Sequence, residues 1–426
     1  MTLQAFEMTL IKTSLLNGIA VVIKMLTLLG INKILAIYVG PSGYAALGQF
    51  QNAVQMITTF ASGALNTGVT KYTAEYFDDE ARQHTVWRTA GTIAMIGTFI
   101  TAVLVSILNE TLAGWFLQDE SLGSVFVWFS GTLVFFVFNT LLMAVLNGKK
   151  EIKLYVSANI AGSIFSLSVT SVLAISYGLY GALVALAIYQ SLTFFVTLVL
   201  VYKAPWFKLS YLLGRVDRIA AKNLAKYTAM ALTSAVCVPI SHILVRNHIG
   251  ESFGWSAAGY WEAMWRLSTA YLILITTTLS VYYLPRLSEL IDPSDIKREI
   301  LQGYKIILPT VSVLGLMIYL LRYDIIRILF SSEFLPMASL FPMQMLGDTL
   351  KIGSWVLSYL MLSKAMMKMF ILSEIIFAGM FYVFTVIFTN FVGLDGVAIA
   401  HAVNYFCYWV VVSTIILKYY RNNSEI

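Results

Sequence analysis

Several ionisable side chains lie inside long apolar runs, where an unpaired charge is costly and so marks a functional position by default. Lys24 stands in the middle of the first run with no opposite charge within one helical turn. Glu262 and Arg266 are four residues apart and Asp348 and Lys351 three apart, which puts each pair on one face of a helix. Either pair can neutralise itself as an intrahelical ion pair or offer its charges to a ligand. Lys71 and Arg246 stand at the ends of runs, where a long cationic side chain either snorkels to the interface or turns into a cavity. Glu374 lies near the start of another run. The carboxylates Glu262, Asp348 and Glu374 are the candidates for holding an exchangeable ion, and a strong partner would keep the first two ionised.

A second class of candidates is neutral. Gln49, Asn52, Gln55, Thr59, Ser62 and Asn66 recur at three- and four-residue spacing, which draws a polar stripe along a helix. In lipid such a stripe must face protein or water. Small polar residues often serve as hydrogen-bond glue between helices, but this many carboxamides exceed what glue needs. A later run carries a comparable stripe of Glu262, Arg266, Thr269, Thr276 and Ser280, beside Trp261 and Trp265. The two stripes together predict a wet cavity, positively charged and rich in hydrogen-bonding groups. That chemistry suits an anionic, hydroxyl-bearing ligand. Amides pair with sugar hydroxyls, indole faces stack on sugar rings, and Lys24, Lys71, Arg246, Arg266 and Lys351 neutralise phosphate. An apolar cation would ask instead for unpaired carboxylates.

No catalytic residue can be assigned. The sequence has no P-loop, no HExxH and no credible Ser/His/Asp set. Cys237, Cys407 and the four histidines (His84, His242, His248, His401) lack metal-ligand spacing, so neither metal nor cofactor is expected.

The elements that must position these residues are membrane helices. Of 426 residues, 59% are hydrophobic and only 12% charged, against about 25% charged in soluble domains. Mean hydropathy is +0.78. The composition predicts an all-α integral membrane protein whose partner is the lipid bilayer, because the runs are too long and too evenly apolar for barrel strands. A span needs about 20 apolar residues. The runs fall near 11–38, 44–70, 85–108, 124–147, 153–176 and 180–202, then 223–247, 257–284, 299–321, 338–362, 367–390 and 394–418, about twelve in all. The first run has no small-residue cleavage site and reads as a span and not as a signal peptide. Pro239 and Pro309 fall inside spans and are expected to kink them.

A basic stretch from Lys203 through Pro205, Lys208, Arg215 and Arg218 to Lys222 divides the chain. It gives an N-terminal six-helix bundle at 1–203, a cytoplasmic linker at 204–222 and a C-terminal six-helix bundle at 223–426. Loop cations alternate, from Lys12 through Lys71, Arg82 and Arg88, Lys149, Lys150 and Lys153, the linker, Arg286, Lys364 and Lys368 to Lys418 and Arg421. The opposite loops carry few, chiefly Lys33, Arg246, Arg322 and Arg327. Both termini are then cytoplasmic. The net charge of +6 is scattered over short loops and gives no nucleic-acid signature.

The halves repeat. Gly178-Leu179-Tyr180-Gly181-Ala182 recurs as Gly393-Leu394-Asp395-Gly396-Val397. Lys149, Lys153 and Tyr155 recur as Lys364, Lys368 and Phe370, and Leu47-Gly48-Gln49-Phe50 as Ala258-Gly259-Tyr260-Trp261. The shared offset of 211 to 215 residues predicts a six-plus-six duplication with a pseudo-two-fold axis along the membrane normal.

These residues resemble the polysaccharide flippase (Wzx) branch of the multidrug/oligosaccharidyl-lipid/polysaccharide exporter superfamily, whose fold is MATE-like. Tyr38-Val39-Gly40-Pro41-Ser42-Gly43-Tyr44 looks like the family's opening helix-loop-helix, and Asn66-Thr67-Gly68-Val69-Thr70-Lys71-Tyr72 is similar to the end of its second span. Ser280-Val281-Tyr282-Tyr283-Leu284-Pro285 and Leu346-Gly347-Asp348-Thr349-Leu350-Lys351 look most like flippases that serve enterobacterial common antigen. The resemblance implies two bundles around a central cavity and alternating access in a bacterial inner membrane. It implies an undecaprenyl-pyrophosphate-linked oligosaccharide as cargo, driven by an ion gradient or by downstream consumption. Lys24, Lys71, Arg246, Asp348 and Lys351 fall where the family carries charge. Glu262 and Arg266 depart from the common-antigen pattern, which favours an O-antigen repeat unit. An O-antigen polymerase and a chain-length regulator are then the expected partners, and the chain itself is expected to be a monomer. A common-antigen lipid flippase and a multidrug or cation antiporter of the same superfamily are the alternatives. A membrane glycosyltransferase or polymerase would need a large periplasmic loop, and every loop is short.

Overall fold

The computed structural model describes residues 3–290, 292–364 and 366–423, with side chains except at 3–17, 226, 227, 229, 230, 281, 284, 285 and 419–423. The side chains of Lys12 and Arg421, and those of Val281, Leu284 and Pro285 in the motif after Ser280, lie outside the described residues. Among the described residues every regular element is helical. In hydrocarbon, backbone N–H and C=O groups have no water to bond, and a helix satisfies them within one segment.

The first elements are α1 (Leu3–Tyr38), α2 (Gly40–Ser62), α3 (Asn66–Glu75), α4 (Glu80–Ile107), α5 (Asn109–Leu117), α6 (Gly123–Gly148) and α7 (Ile152–Tyr202). They are followed by α8 (Arg218–Phe253), α9 (Trp255–Thr278), α10 (Leu284–Glu289), α11 (Pro293–Leu320), α12 (Arg322–Leu329), α13 (Phe341–Ser363), α14 (Met367–Val392) and α15 (Gly396–Asn423). A π turn at Leu279–Tyr283 joins α9 to α10. Pro239 and Pro309 lie within α8 and α11.

The order of elements repeats, and so does local chemistry. Asp79 caps α4 by accepting from the Arg82 amide, and Asp292 caps α11 by accepting from the Ser294 amide. Short helices, α5 and α12, follow both. The amide of Glu151 bonds the Leu146 carbonyl at 3.0 Å, and 215 residues later Met366 bonds Met361 at 2.9 Å. Gly178 breaks α7 with φ +56° and ψ −133°, and Gly393 separates α14 from α15 with φ +70° and ψ −150°. That region of backbone space is open to glycine and closed to side chains. The short sequence repeats therefore mark equivalent backbone breaks.

Six helical stretches among the described residues are long and apolar enough to cross a membrane. Ile152–Tyr202 and Met367–Lys418, of 51 and 52 residues, are each twice the length a bilayer needs, and each contains one of the glycine breaks. The helices that fall short of this hydropathy (α2, α8, α9 and α13) are those carrying most of the candidate site residues.

The chain forms two compact units. One comprises 1–39 and 46–236, the other 40–45 and 237–426. In the first unit α6 and α7 are tied by Asn139, which donates to Gln190 at 3.0 Å and accepts from Thr197 at 2.9 Å. The stretch after α7 is docked there too. Trp206 donates to Glu151 at 2.9 Å, Thr92 donates to the Gly214 carbonyl at 2.9 Å, and Tyr211 stacks on His84 at 3.8 Å. The core of the second unit is built on Tyr283, Val356, Leu360, Phe377, Tyr408 and Val412.

Candidate functional site

The second unit gathers its charges on α8, α9, α13 and α15. Arg246 of α8 donates through Nη2 to Glu262 Oε2 at 2.6 Å, and Arg266 donates through Nε to Oε1 of the same carboxylate at 2.7 Å. Glu262 and Arg266 are one helical turn apart, so their pairing is intrahelical, as the spacing allowed. Arg246 does not snorkel. It is 1% exposed, and its guanidinium lies 5.3 Å from the Trp261 ring centroid. Arg266 lies 5.4 Å over Tyr44, which is held edge-on by Phe330 and Phe334. Two guanidinium groups thus share one buried carboxylate and leave a formal charge of +1.

Asp348 and Lys351 do not form the ion pair that their spacing permits: no contact within 4.0 Å joins them among the described residues. Three residues along a helix turn the side chains about 60° apart, and aspartate is short. Asp348, fully buried, meets His401 Nε2 at 3.0 Å, Gln344 Nε2 at 3.2 Å and the Tyr271 hydroxyl at 2.8 Å. Gln344 also donates to Ser268 at 3.3 Å. Lys351 points into three rings, with Nζ 4.5 Å from the centroid of Trp265, 4.8 Å from Trp355 and 5.7 Å from Tyr405. A desolvated ammonium over π faces is stabilised by about 2 kcal/mol or more. Gly347 makes room for His401: a Cβ at that position would lie 2.3 Å from the imidazole Cδ2.

Aromatic contacts join the two groups. His242 packs edge-on against Trp265 at 4.2 Å and Trp261 at 5.6 Å, and Trp265 meets His401 at 5.7 Å. Trp261 is 1% exposed and Trp265 is covered by Lys351 and His242. Both indoles, expected from sequence as open stacking faces for sugar, instead hold the cations in place. Glu374 stands apart, half-buried near Cys237, Tyr405 and Tyr408.

Sequence reasoning missed His242, His401, Tyr271, Gln344, Trp355 and Tyr405. A signal existed, since His242 precedes Arg246, His401 precedes Tyr405 and Gln344 precedes Asp348 by four residues each. Trp355 likewise follows Lys351 by four residues; Tyr271 carries no such mark.

The first unit holds the neutral candidates, and the structure divides them. Gln49 is fully buried and Asn52 half-buried. Gln55 and Asn66 line a cavity of about 280 Å³, together with Gln51, Thr58 and Ser62. Phe136 and Thr140 of α6 and Tyr189 of α7 close its far wall. The stripe is not continuous, because α2 ends at Ser62 and Asn66 opens α3. Lys71, on α3, is half-exposed and pairs with Glu75 at 3.7 Å. Lys24 is exposed on α1, and its ammonium meets no partner among the described residues. Among the described residues no group of His, Cys, Asp and Glu could hold a metal ion.

Residues 18–339 match the family model described as Polysaccharide biosynthesis protein. The chain belongs to that family. It is 30% identical to the Lipid III flippase of Escherichia coli (strain K12) over 97% of this chain and 100% of the relative. The Lipid III flippase of Shigella flexneri matches with the same identity and coverage. Among solved structures it resembles an inward-facing multidrug resistance MATE family transporter of the MOP superfamily. The TM-score is 0.73 and the identity 16%, over 91% of this chain and 92% of the other. An outward-facing MATE transporter matches with a TM-score of 0.67 and 16% identity, over 92% of this chain and 93% of the other.

This polysaccharide biosynthesis protein has a MATE-like fold, and among its described residues six helical stretches are long and apolar enough to cross a membrane. Its charged cluster is a fixed electrostatic feature. A buried ion pair that has lost one partner costs about 3–5 kcal/mol, so Arg246, Glu262 and Arg266 stand or fall together. In the low dielectric of the unit's interior the unmatched positive charge of this trio acts over a longer range than it would in water.

Proposed function

We propose that this protein carries an oligosaccharide linked to undecaprenyl pyrophosphate, an O-antigen repeat unit, from the cytoplasmic to the periplasmic leaflet of the bacterial inner membrane. The carrying observation is the charge balance of the second unit. Among the described residues Arg246 and Arg266 share the Glu262 carboxylate, while Lys351 stands over aromatic rings and makes no ion pair with Asp348. An excess of permanent cations inside a membrane protein favours an anionic cargo such as a pyrophosphate. The family match and the named flippase relatives support the same class of cargo.

The working layout is a pair of six-span halves at 1–203 and 223–426, a cytoplasmic linker at 204–222 and both termini in the cytoplasm. Lys24, Lys71, Arg246, Arg266 and Lys351 would attract pyrophosphate, Gln49, Asn52, Gln55 and Asn66 would meet sugar, and Trp261 and Trp265 would set the cations. Glu262, Asp348 and Glu374 remain the groups through which an ion could drive alternating access. The carrier would act as a monomer beside an O-antigen polymerase and a chain-length regulator.

A second reading is that the cargo is the common-antigen lipid. It is favoured by 30% identity to a Lipid III flippase along the whole relative. Complementation separates the two. The chain is expressed in one strain lacking its O-antigen flippase and in another lacking its common-antigen flippase, and glycans are resolved on gels. A restored lipopolysaccharide ladder in the first strain supports the O-antigen unit. Rescue of only the second moves the cargo to the common-antigen lipid. Failure in both, with the protein inserted, would sink both readings for those sugars.

A further inference from the structure

We propose that the cavity walled by α2, α3, α6 and α7 seats one uncharged sugar ring of the cargo and refuses an acidic one. The inference rests on the flippase reading, but its test does not.

The volume suits a single sugar ring. The cavity measures about 280 Å³, at the small end of ligand sites, which run from about 300 to 1,000 Å³. The lining matches the two kinds of surface a sugar presents. Gln55 and Asn66 offer carboxamides and Thr58 and Thr140 offer hydroxyls, which suits the polar edge. Phe136 and Tyr189 offer ring surface, which suits the C–H face.

Thr58 points to a ligand directly. A threonine inside a helix usually donates back to a carbonyl one turn earlier. Thr59 does so to Gln55 at 2.7 Å and Thr140 to Val137 at 2.8 Å. Thr58 does not: it is 8% exposed, and its Oγ1 is buried with no hydrogen-bond partner. That hydroxyl is sealed and unanswered, which is costly, and a rotation of the Thr58 side chain toward the cavity this residue lines would let an occupant bond it. A sugar hydroxyl can do so, since it donates and accepts.

The exclusion of acidic sugars follows from what the lining lacks. None of its side chains carries a charge. A uronate carboxylate placed there would lose its hydration and gain no counter-ion. The cluster of Arg246, Glu262 and Arg266 sits in the other unit, so pyrophosphate and this sugar would be read by separate parts of the chain.

The test uses the full chain in lipid nanodiscs and saturation-transfer NMR with methyl glucoside, methyl N-acetylglucosaminide and methyl glucuronide. The neutral glycosides should receive saturation from the protein and the glucuronide about five-fold less. Thr58→Val should weaken the neutral signal about five-fold, the scale of one buried hydrogen bond, while Thr58→Ser keeps it. Thr310→Val, on α11 in the other unit, is the control for nonspecific contact. Equal signals from glucuronide and glucoside would overturn the proposal. So would no signal from any glycoside, or a Thr58→Val protein that elutes as wild type and binds as wild type. If Thr58→Val fails to fold, the serine variant and the charged-against-neutral comparison still decide. A restored glycan ladder without glycoside binding would remove the sugar seat and leave the flippase reading; binding without any ladder would do the reverse.

Discussion

The Arg246 guanidinium donates to the Glu262 carboxylate across 2.6 Å, with both side chains nearly sealed from their surroundings. The second oxygen of Glu262 is taken by Arg266 at 2.7 Å. Both oxygens of Glu262 therefore already accept from an arginine, and a travelling ion would have to compete with Arg246 and Arg266 for them.

Glu262→Gln is expected to leave two guanidinium groups facing each other without a counter-charge. Loss of one partner from a buried pair costs about 3–5 kcal/mol, so the variant should melt earlier in detergent and accumulate poorly. Arg246→Met combined with Glu262→Met removes the pair together and keeps the net charge of +1 through Arg266. That double variant strands only Arg266, so it should regain part of the lost stability, and it should lose glycan display if Arg246 meets the cargo's pyrophosphate. A double variant as unstable as Glu262→Gln would mean that the two side chains act through packing and not through charge.

Lys351→Met tests the ammonium enclosed by Trp265, Trp355 and Tyr405. Methionine is similar in length and packs well against rings. It forfeits a cation–π term of about 2 kcal/mol but also avoids burying a charge, so abundance should stay near wild type. If the cation serves the cargo, glycan display falls sharply at normal protein level. Normal display would assign Lys351 to structure alone.

The all-helical character was legible because membrane helices declare themselves by length and apolarity, although among the described residues six stretches, and not about twelve, pass that test. Gly178 and Gly393 were visible as a repeated motif, and both proved to be positive-φ breaks. The charged partners were less legible. Spacing found Glu262 with Arg266 but suggested Asp348 with Lys351, where the true partners come from α9 and α15. Periodicity reports which residues share a face of one helix; it is silent on which neighbouring helix that face meets. Arg246 illustrates the same limit, since a position near a helix end looks the same in sequence whether the side chain reaches outward or inward. Gln49 and Asn52 share the spacing of Gln55, yet only Gln55 lines the cavity.

Gly347→Ala should behave as a lesion of His401. The added Cβ would sit 2.3 Å from the imidazole and 3.1 Å from the Ala402 amide. Overpacking of this kind costs about 1–3 kcal/mol, and relief requires His401 to leave Asp348. The variant should therefore reproduce whatever loss of stability and glycan display His401→Ala causes by freeing Asp348, and combining the two should add little. Thermal melts and glycan display of the two single variants and the double check this. Fully additive defects would show that Gly347 and His401 act independently.

Lys24 in mid-run and Lys71 at the end of a run already differ in sequence, and their surroundings set them further apart. Lys71 pairs with Glu75 at 3.7 Å on a half-exposed surface, and such pairs contribute about 0–1 kcal/mol. Lys71→Ala should change stability little. Lys24 rises from the apolar face of α1 with no partner among the described residues, so its charge is a cost to folding that nothing local offsets. Lys24→Ala should leave the melting temperature unchanged or raise it, and should still abolish glycan assembly if the ammonium meets the cargo's pyrophosphate. Lys24→Arg keeps the charge and should keep part of the activity. Quantitative blots of the membrane fraction beside the glycan gel separate these effects. A stable Lys24→Ala protein with a normal ladder would take Lys24 out of the transport path and leave Lys71 and the cations of the second unit to meet the phosphate.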